Sequence, residues 1–497
     1  MSIPLWRNVT AEISLSPFPS GRRVDVAVVG AGITGLTAAL LLARSGHRVA
    51  VVEARHVGAG ASGATTAKVT LLQNTRLSEI VDRHGREVAE QYLAANLFGL
   101  NWMRQFCAAS DVPVRHTRAV TYSTTGDGAA AVRREWETAR ELGLPVELLD
   151  DSTEEFISDA AVALPDTLAL DPADLLVALS AAVTGAGGTI TDHARVTDIQ
   201  TSDDGATVIT SAGTLNADRV ILATASPILD RQRTTMSLSA VRSYLCAYDV
   251  TGPLPEGMFI SAEEPTISLR TAVVDGEDKL LVGGHGHPTG QETDTGDRLT
   301  ALDEWARTHF PGARRTHGWS AQDYHPVAMV PSVEKLGWGD DRVFFAGGYS
   351  KWGMAAAPAA AHMVVDLAER REPRLSFGDT SALDTAKTTA TTLTKAARSA
   401  AGNLAGALAG NGAKGPDDST TLDEGEAATG LSAARPTGEA MVDGRTCRVS
   451  LTCTHMGGQL AWNDAEQSWD CPLHGSRFAA DGTVLEGPAV KDLPRFD

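Results

Sequence analysis

Near the C-terminal end two cysteines and two histidines constrain the chain more tightly than any other feature. Cys453 and His455 form one pair, Cys471 and His474 the other, and residues 456–470 separate them as C-x-H-x15-C-x2-H. Each half offers one thiolate and one imidazole, so two loops must face each other to use all four. Two centres take this donor set. In one, a [2Fe–2S] cluster, two thiolates hold one iron and two imidazoles the other. In the other, a single zinc takes all four donors, although zinc sites usually pair Cys with Cys and His with His. The mixed halves favour the cluster, with zinc as the alternative.

The surrounding text, "CTHMGGQLAW" and "CPLHGSRFAADGTVLEGPA", resembles the Rieske family over about the last 80 residues. That resemblance implies Cys453, His455, Cys471 and His474 as the metal ligands. High-potential members carry an extra cysteine in each loop, where this chain has Gly458 and Leu473. It is similar in this to the disulfide-free ferredoxin and oxygenase types. Ser476 keeps a hydroxyl that the family often points at a cluster sulfide, and Phe478 stands where some members have a tyrosine. Fewer hydrogen bonds lower a cluster's potential, giving an expected low-to-intermediate value within the Rieske range of about −150 to +300 mV. Cys447 is expected to be a small core residue.

A second motif lies near the start. "VDVAVVGAG" is a buried strand meeting a glycine turn, and "ITGLTAALLLARSG" is the helix after it. Gly30, Gly32 and Gly35 thus form G-x-G-x-x-G in the strand–turn–helix context that gives the motif meaning. The first permits the turn, the second lets a pyrophosphate approach the backbone, and the third allows close packing. The helix N-terminus offers free N–H groups to the phosphates. Glu53 closes the next strand, "HRVAVVEA", and is placed to bind ribose hydroxyls, which disfavours a 2′-phosphate. The run "TGAGGT" at 184–189 follows a helix, so no second fingerprint suggests an NAD(P)H site.

"GAGASGATTAK" (58–68) and "DRVFFAGGYSKWGMAAAPAAAHMVVDL" (341–367) resemble the D-amino-acid oxidase-like flavoproteins over most of 24–370. The resemblance implies FAD, with Ala61, Ser62, Thr65 and Thr66 lining the path from pyrophosphate to flavin. It places Gly347, Gly348, Gly353 and Met354 by the flavin ring, and Val196 in an adenine-side strand. The whole arrangement resembles a group in which a γ-glutamylputrescine oxidase-like flavoprotein carries a C-terminal Rieske domain; "GYSKWGM" and "TTAKVT" are typical of it.

At 497 residues the chain has room for several cores. The expected organisation is an irregular leader (1–23), an α/β FAD-binding, Rossmann-like domain with an inserted α+β substrate domain (24–378), an Ala-rich segment (379–420) and a small all-β Rieske domain (421–497). Further strands are expected near 217–226, 279–284 and 341–348. Within 381–409, Leu383, Ala386, Ala390, Leu393, Ala397, Ala400, Leu404 and Ala407 recur at steps of three and four, which reads as a docking helix or an Ala-rich spacer. A net charge of −19 argues against a nucleic-acid partner. Five cysteines make no disulfide framework, no apolar run suggests a membrane span, and Arg22-Arg23 only imitates a twin-arginine signal. The expected setting is cytoplasmic.

The resemblance implies oxidation of a C–N bond in an amine or amino acid, a reaction that needs positioning more than a strong base. Lys351 and Trp352, beside the expected flavin, and Arg270, a fork suited to a carboxylate, are the substrate candidates. His285, His287 and Asp323-Tyr324-His325 are weaker ones. The family's "PYIG" near Pro331 is replaced by "PSVEK", which questions the usual pocket. Three functions compete: a dehydrogenase relaying electrons through the cluster to an external acceptor, an oxidase using O2 with a structural or regulatory cluster, and a redox sensor without turnover. A Rieske oxygenase is disfavoured because no mononuclear iron domain follows the motif.

Overall fold

The computed structural model describes residues 4–6, 9–149, 154, 156–157, 159–229, 237–292, 294–378, 422–432 and 435–496. Strand β1 (Arg23–Val29), helix α1 (Ile33–Arg44) and strand β2 (Val49–Val52) form the expected nucleotide-binding unit. Val26 to Val29 and the whole of β2 are buried. An apolar run without alternation is what a strand needs when helices cover both faces of a parallel sheet.

The sheet runs in the order 332–335, 343–347, 213–225, β1, β2, 189–191. Its members from 343–347 through 189–191 are parallel, and Ser332–Lys335 is an antiparallel edge. The strands expected near 217–226, 279–284 and 341–348 lie within Gly213–Ala225, Glu277–Pro288 and Val343–Gly347. The helix Gly353–Ala368 is buried along almost its whole length, and "AAAPAAA" explains how. Small side chains let the helix Arg86–Ala109 cross it so closely that any side chain at Gly99 would collide with the Ala355 carbonyl.

A second, nine-stranded sheet is the inserted substrate-side unit, with Arg314–Pro326, Leu238–Asp249 and Glu277–Pro288 as neighbours at one end. The leader is irregular, yet it is tied down. Leu5, Trp6, Val9 and Ile13 are buried in the main core, and the Ser16 amide donates to the Ile190 carbonyl at 2.7 Å. Phe377, near the end of this domain, is buried against Tyr92.

Two small antiparallel sheets make the C-terminal domain: 427–432, 435–442 and 445–450, then 461–463, 468–470, 477–479 and 484–486. Trp469, Phe478, Leu451 and Leu460 form its core together with Cys453 and Cys471. The Ala-rich segment, including the seam at 381–409, lies outside the described residues. Among the described residues no helix is long and apolar enough to cross a membrane.

Candidate functional site

The glycine turn is built as its spacing demands. Gly30 has φ +104, and a Cβ there would meet the Ala223 carbonyl oxygen at 2.6 Å. A side chain at Gly35 would collide with the Gly30 carbonyl, so only glycine lets α1 begin this close to β1. At Gly32 a Cβ would meet Ser62 Oγ at 2.9 Å, and the same hydroxyl accepts from the Ile33 amide at 3.1 Å. The loop after β2 therefore closes over the N-terminus of α1, where a pyrophosphate needs it. Glu53 accepts from the amides of Ala31 and Arg55, each at 2.9 Å. Each carboxylate oxygen keeps a lone pair for a ribose hydroxyl.

Beyond this turn a cleft opens between the two sheets. The structure brings Ala61, Ser62, Thr65, Thr66, Gly348, Lys351, Trp352, Gly353 and Met354 into its wall, from two distant stretches of chain. Gly347 lies one step back in the strand, where a Cβ would meet the Ala225 oxygen at 2.7 Å. Val196 begins a strand of the sheet's antiparallel extension, is buried, and is not part of the cleft lining. The turn entering the last helix is strained: Ser350 and Lys351 both have left-handed backbones, with φ +50 and +76. Arg76 holds it by donating to Ser350 Oγ at 2.9 Å and to the Met329 carbonyl at 2.6 Å.

Charge in the cleft is mostly positive. Lys68 Nζ donates to the Phe259 carbonyl at 3.2 Å and to Ser268 Oγ. Burial, then the charges of Arg270 and Lys351, push its ammonium down to about 7. Asp323 faces the same space, and burial pushes its carboxyl up to about 6 against the pull of Lys351. Arg270 does not line the cleft. Its guanidinium donates to the carbonyls of Leu170 (2.9 Å) and Thr271 (3.2 Å) and lies over the Trp6 ring. Burial pushes it down to about 10. The divergent "PSVEK" segment forms the sheet edge and does not line the cleft.

The other weak candidates separate by role. Asp323 and Tyr324 line the cleft; His325 is held neutral, pushed down to about 3 by burial with Lys351 and Arg76 nearby. His287 stacks on Tyr244 and shares a hydrogen bond with its hydroxyl at 3.1 Å, a structural pair. Sequence reasoning missed Lys68, Ser243, Tyr244 and Gln322 as cleft residues. Lys68 carried a signal, being the lone cation in a run of small residues. Gln322 carried none.

In the C-terminal domain the two ligand loops are near copies. The Cys453 amide donates to the Gly458 carbonyl at 2.9 Å and the Gly457 amide back to the Cys453 carbonyl at 3.0 Å. In the second loop the Cys471 amide donates to the Ser476 carbonyl at 2.8 Å and the Gly475 amide to the Cys471 carbonyl at 3.1 Å. Gly457 and Gly475 share φ +73. The loops face each other, with the His455 and His474 rings edge to face, centroids 5.2 Å apart. A Cβ at Gly458 would meet Cys471 Sγ at 2.9 Å, so a cysteine there would crowd the ligand. Contact with Cys471 and hydrogen bonds from the His455 and Met456 amides and the Ser476 hydroxyl favour the Cys453 thiolate.

Among the described residues no three His, Cys, Asp or Glu side chains gather on one point that a single ion could occupy. Cys453 touches Cys471 and His455 faces His474, so the donors pair by type, two thiolates and two imidazoles, as a two-iron cluster uses them. All five cysteines are free thiols, and Cys447 is half-buried in the middle of an edge strand rather than packed in the core.

The small domain is docked on the large one through polar contacts, from exposed at Asp464 to buried at Gln322. Asp464 accepts from the Thr295 and Gly296 amides (2.8 and 3.1 Å), supplying from the small domain the cap that Thr295 itself does not give the helix Gly296–His309. Gln322 Nε2 donates to the Gly475 carbonyl at 2.8 Å, and Arg242 reaches Glu466 at 3.1 Å. Beside them Arg477 is ringed by Asp470, Glu466 and Glu486; burial opposes its charge, but these carboxylates hold it above its usual value.

Comparison with known proteins agrees with both halves. Residues 25–367 match the FAD dependent oxidoreductase (DAO) family and residues 422–497 the Rieske [2Fe-2S] domain. The chain belongs to the FAD dependent oxidoreductase family and carries a C-terminal Rieske domain; its cofactors are FAD and a [2Fe–2S] cluster. It is 28% identical over 502 residues to YhfW of Bacillus subtilis (strain 168), named for a Rieske 2Fe-2S iron-sulfur protein, covering 99% of this chain and 97% of that one. In fold it is similar to glycine oxidase from Geobacillus kaustophilus (TM-score 0.62, 22% identity, 72% of this chain and 98% of that one). L-proline dehydrogenase from P. horikoshii is similar to the same degree (TM-score 0.62, 17% identity, 72% and 96%).

Proposed function

We propose that the chain is a dehydrogenase that oxidises the C–N bond of an amine or amino acid at the cleft. Its electrons pass from FAD to the Rieske cluster and on to an external one-electron acceptor. FAD supplies the hydride acceptor; the chain's own residues supply position and charge. Lys68 and Lys351 give one side of the cleft a positive wall for an anionic end of the substrate, and Asp323 lies opposite in charge, suited to an amino group. Trp352 closes the lining beside the strained turn. Arg270, engaged by two carbonyls, lies behind Lys68, where its own charge adds to the positive wall and eases loss of the Lys68 proton.

The observation that carries the relay is the docking of the His474–Gly475 turn on the cleft wall, while the matching His455–Gly457 turn is open to solvent. A side chain at Gly475 would collide with Ala240, whereas at Gly457 nothing lies within 4 Å, and Met456 is 50% exposed. One loop thus meets the flavoprotein and the other is accessible to a partner. The free thiols favour the cytoplasm as its setting.

Anaerobic titration with a panel of amines and amino acids tests the reading, following flavin bleaching and the cluster EPR signal together. The expected result is bleaching by one class of substrate, accompanied by cluster reduction. Bleaching with a silent cluster removes the relay, and no bleaching by any amine removes the substrate class.

A further inference from the structure

We propose that Gln322 is the positioning residue that couples the flavin cleft to the cluster, an inference that rests on the relay just described. Gln322 lines the cleft and is 2% exposed. Its carboxamide has a single orientation. Thr289 Oγ1 donates to Oε1 at 2.9 Å, while Nε2 donates to the Tyr324 hydroxyl at 2.9 Å and to the Gly475 carbonyl at 2.8 Å. A carbonyl can only accept, so the nitrogen must face Gly475.

The Gly475 peptide adjoins the ligand His474 and is clamped from both sides. Ala240 leaves no room for a side chain on one face, and a Cβ at Gly487 would meet the Gly475 oxygen at 2.6 Å on the other. Gln322 therefore completes a bonded path from the cleft wall to a cluster ligand, in a buried place where hydrogen bonds polarise one another. Electronic coupling decays more slowly through such bonds than across a gap. Each transfer oxidises the reduced flavin by one electron and reduces the cluster by one. Two transfers, with the cluster discharged to its acceptor in between, return the flavin to its oxidised state.

The experiment uses the holoprotein, with the flavin reduced by a flash-generated deazaflavin radical and the cluster followed by absorbance and EPR. In Gln322→Leu the transfer from flavin to cluster is expected to slow by an order of magnitude, with flavin content, EPR line shape and cluster midpoint unchanged. Gln322→Glu serves where the leucine variant loses a cofactor. Its protonated carboxyl can donate to Gly475 and its carboxylate cannot, so transfer should slow as pH rises, over and above the dependence that Lys68 and Asp323 give the wild type. An unchanged rate in Gln322→Leu, or the wild-type rate and pH profile in Gln322→Glu, overturns the proposal. A wild-type cluster that stays oxidised beside reduced flavin overturns the relay itself and this inference with it.

Discussion

The cluster site takes all its ligands from residues 453–474, whereas the flavin cleft gathers its wall from residues near 33, 61–68, 243–245, 321–324 and 348–354. The first is held by side chains on two short turns, each closed by its own backbone hydrogen bonds. The second is held by the absence of side chains, at glycines where helix and strand all but touch. A site of the first kind fails when a donor is removed, and one of the second kind fails when an atom is added.

The largest effects should come from those opposite operations. Cys453→Ala should abolish iron and the Rieske EPR signal while the protein keeps its FAD. Gly35→Ala should do the reverse, driving a methyl into the Gly30 carbonyl and costing the flavin while the cluster signal survives. If either variant loses both cofactors, the two sites are not independent and the contrast fails. Iron and flavin analysis of each purified variant decides.

Next is the seam between the domains. Arg477→Met leaves Asp470, Glu466 and Glu486 buried with less compensating charge, a change that costs about 3–5 kcal/mol when one partner of a buried pair is lost. Calorimetry should show it as a lowered transition of the small domain. Lys68→Met should lose one charged hydrogen bond to an anionic substrate, about 1.5–3 kcal/mol, read as a raised KM with kcat less affected. The sign of its pH dependence follows from its position. Lys68 is charged below about 7 and neutral above, so wild-type KM should rise as pH passes upward through that value, and the methionine variant should lose the dependence. The smallest effect is expected from Asp464→Ala, which uncaps the helix Gly296–His309 at a cost of about 1 kcal/mol. It would sharpen the comparison by loosening the docking without touching either site, visible as faster proteolysis between the domains.

The same contrast explains what the sequence discloses. Cys453, His455, Cys471 and His474 are legible because their chemistry is local, and Gly30, Gly32 and Gly35 because their spacing is dictated by a turn. Gly353, Met354, Lys351 and Trp352 follow a strand and open a helix, so their place at the cleft is also readable. Tyr244 and Gln322 sit on long strands with no motif around them; only the pairing of Leu238–Asp249 with Arg314–Pro326 brings them together. Arg270 shows the limit in the other direction. A carboxylate-binding fork looks the same in sequence as one whose two terminal nitrogens donate to the Leu170 and Thr271 carbonyls.

The two ligand turns have one backbone shape and two different surroundings. Such a pair gives the cluster a polarity that its own ligands, two thiolates and two imidazoles in matching loops, do not possess. Under the proposed relay, direction of current is then a property of where the small domain sits, not of the metal centre. A change of redox partner would then need changes only at Met456, Gly457 and their neighbours, while the flavin side of the circuit stays as it is.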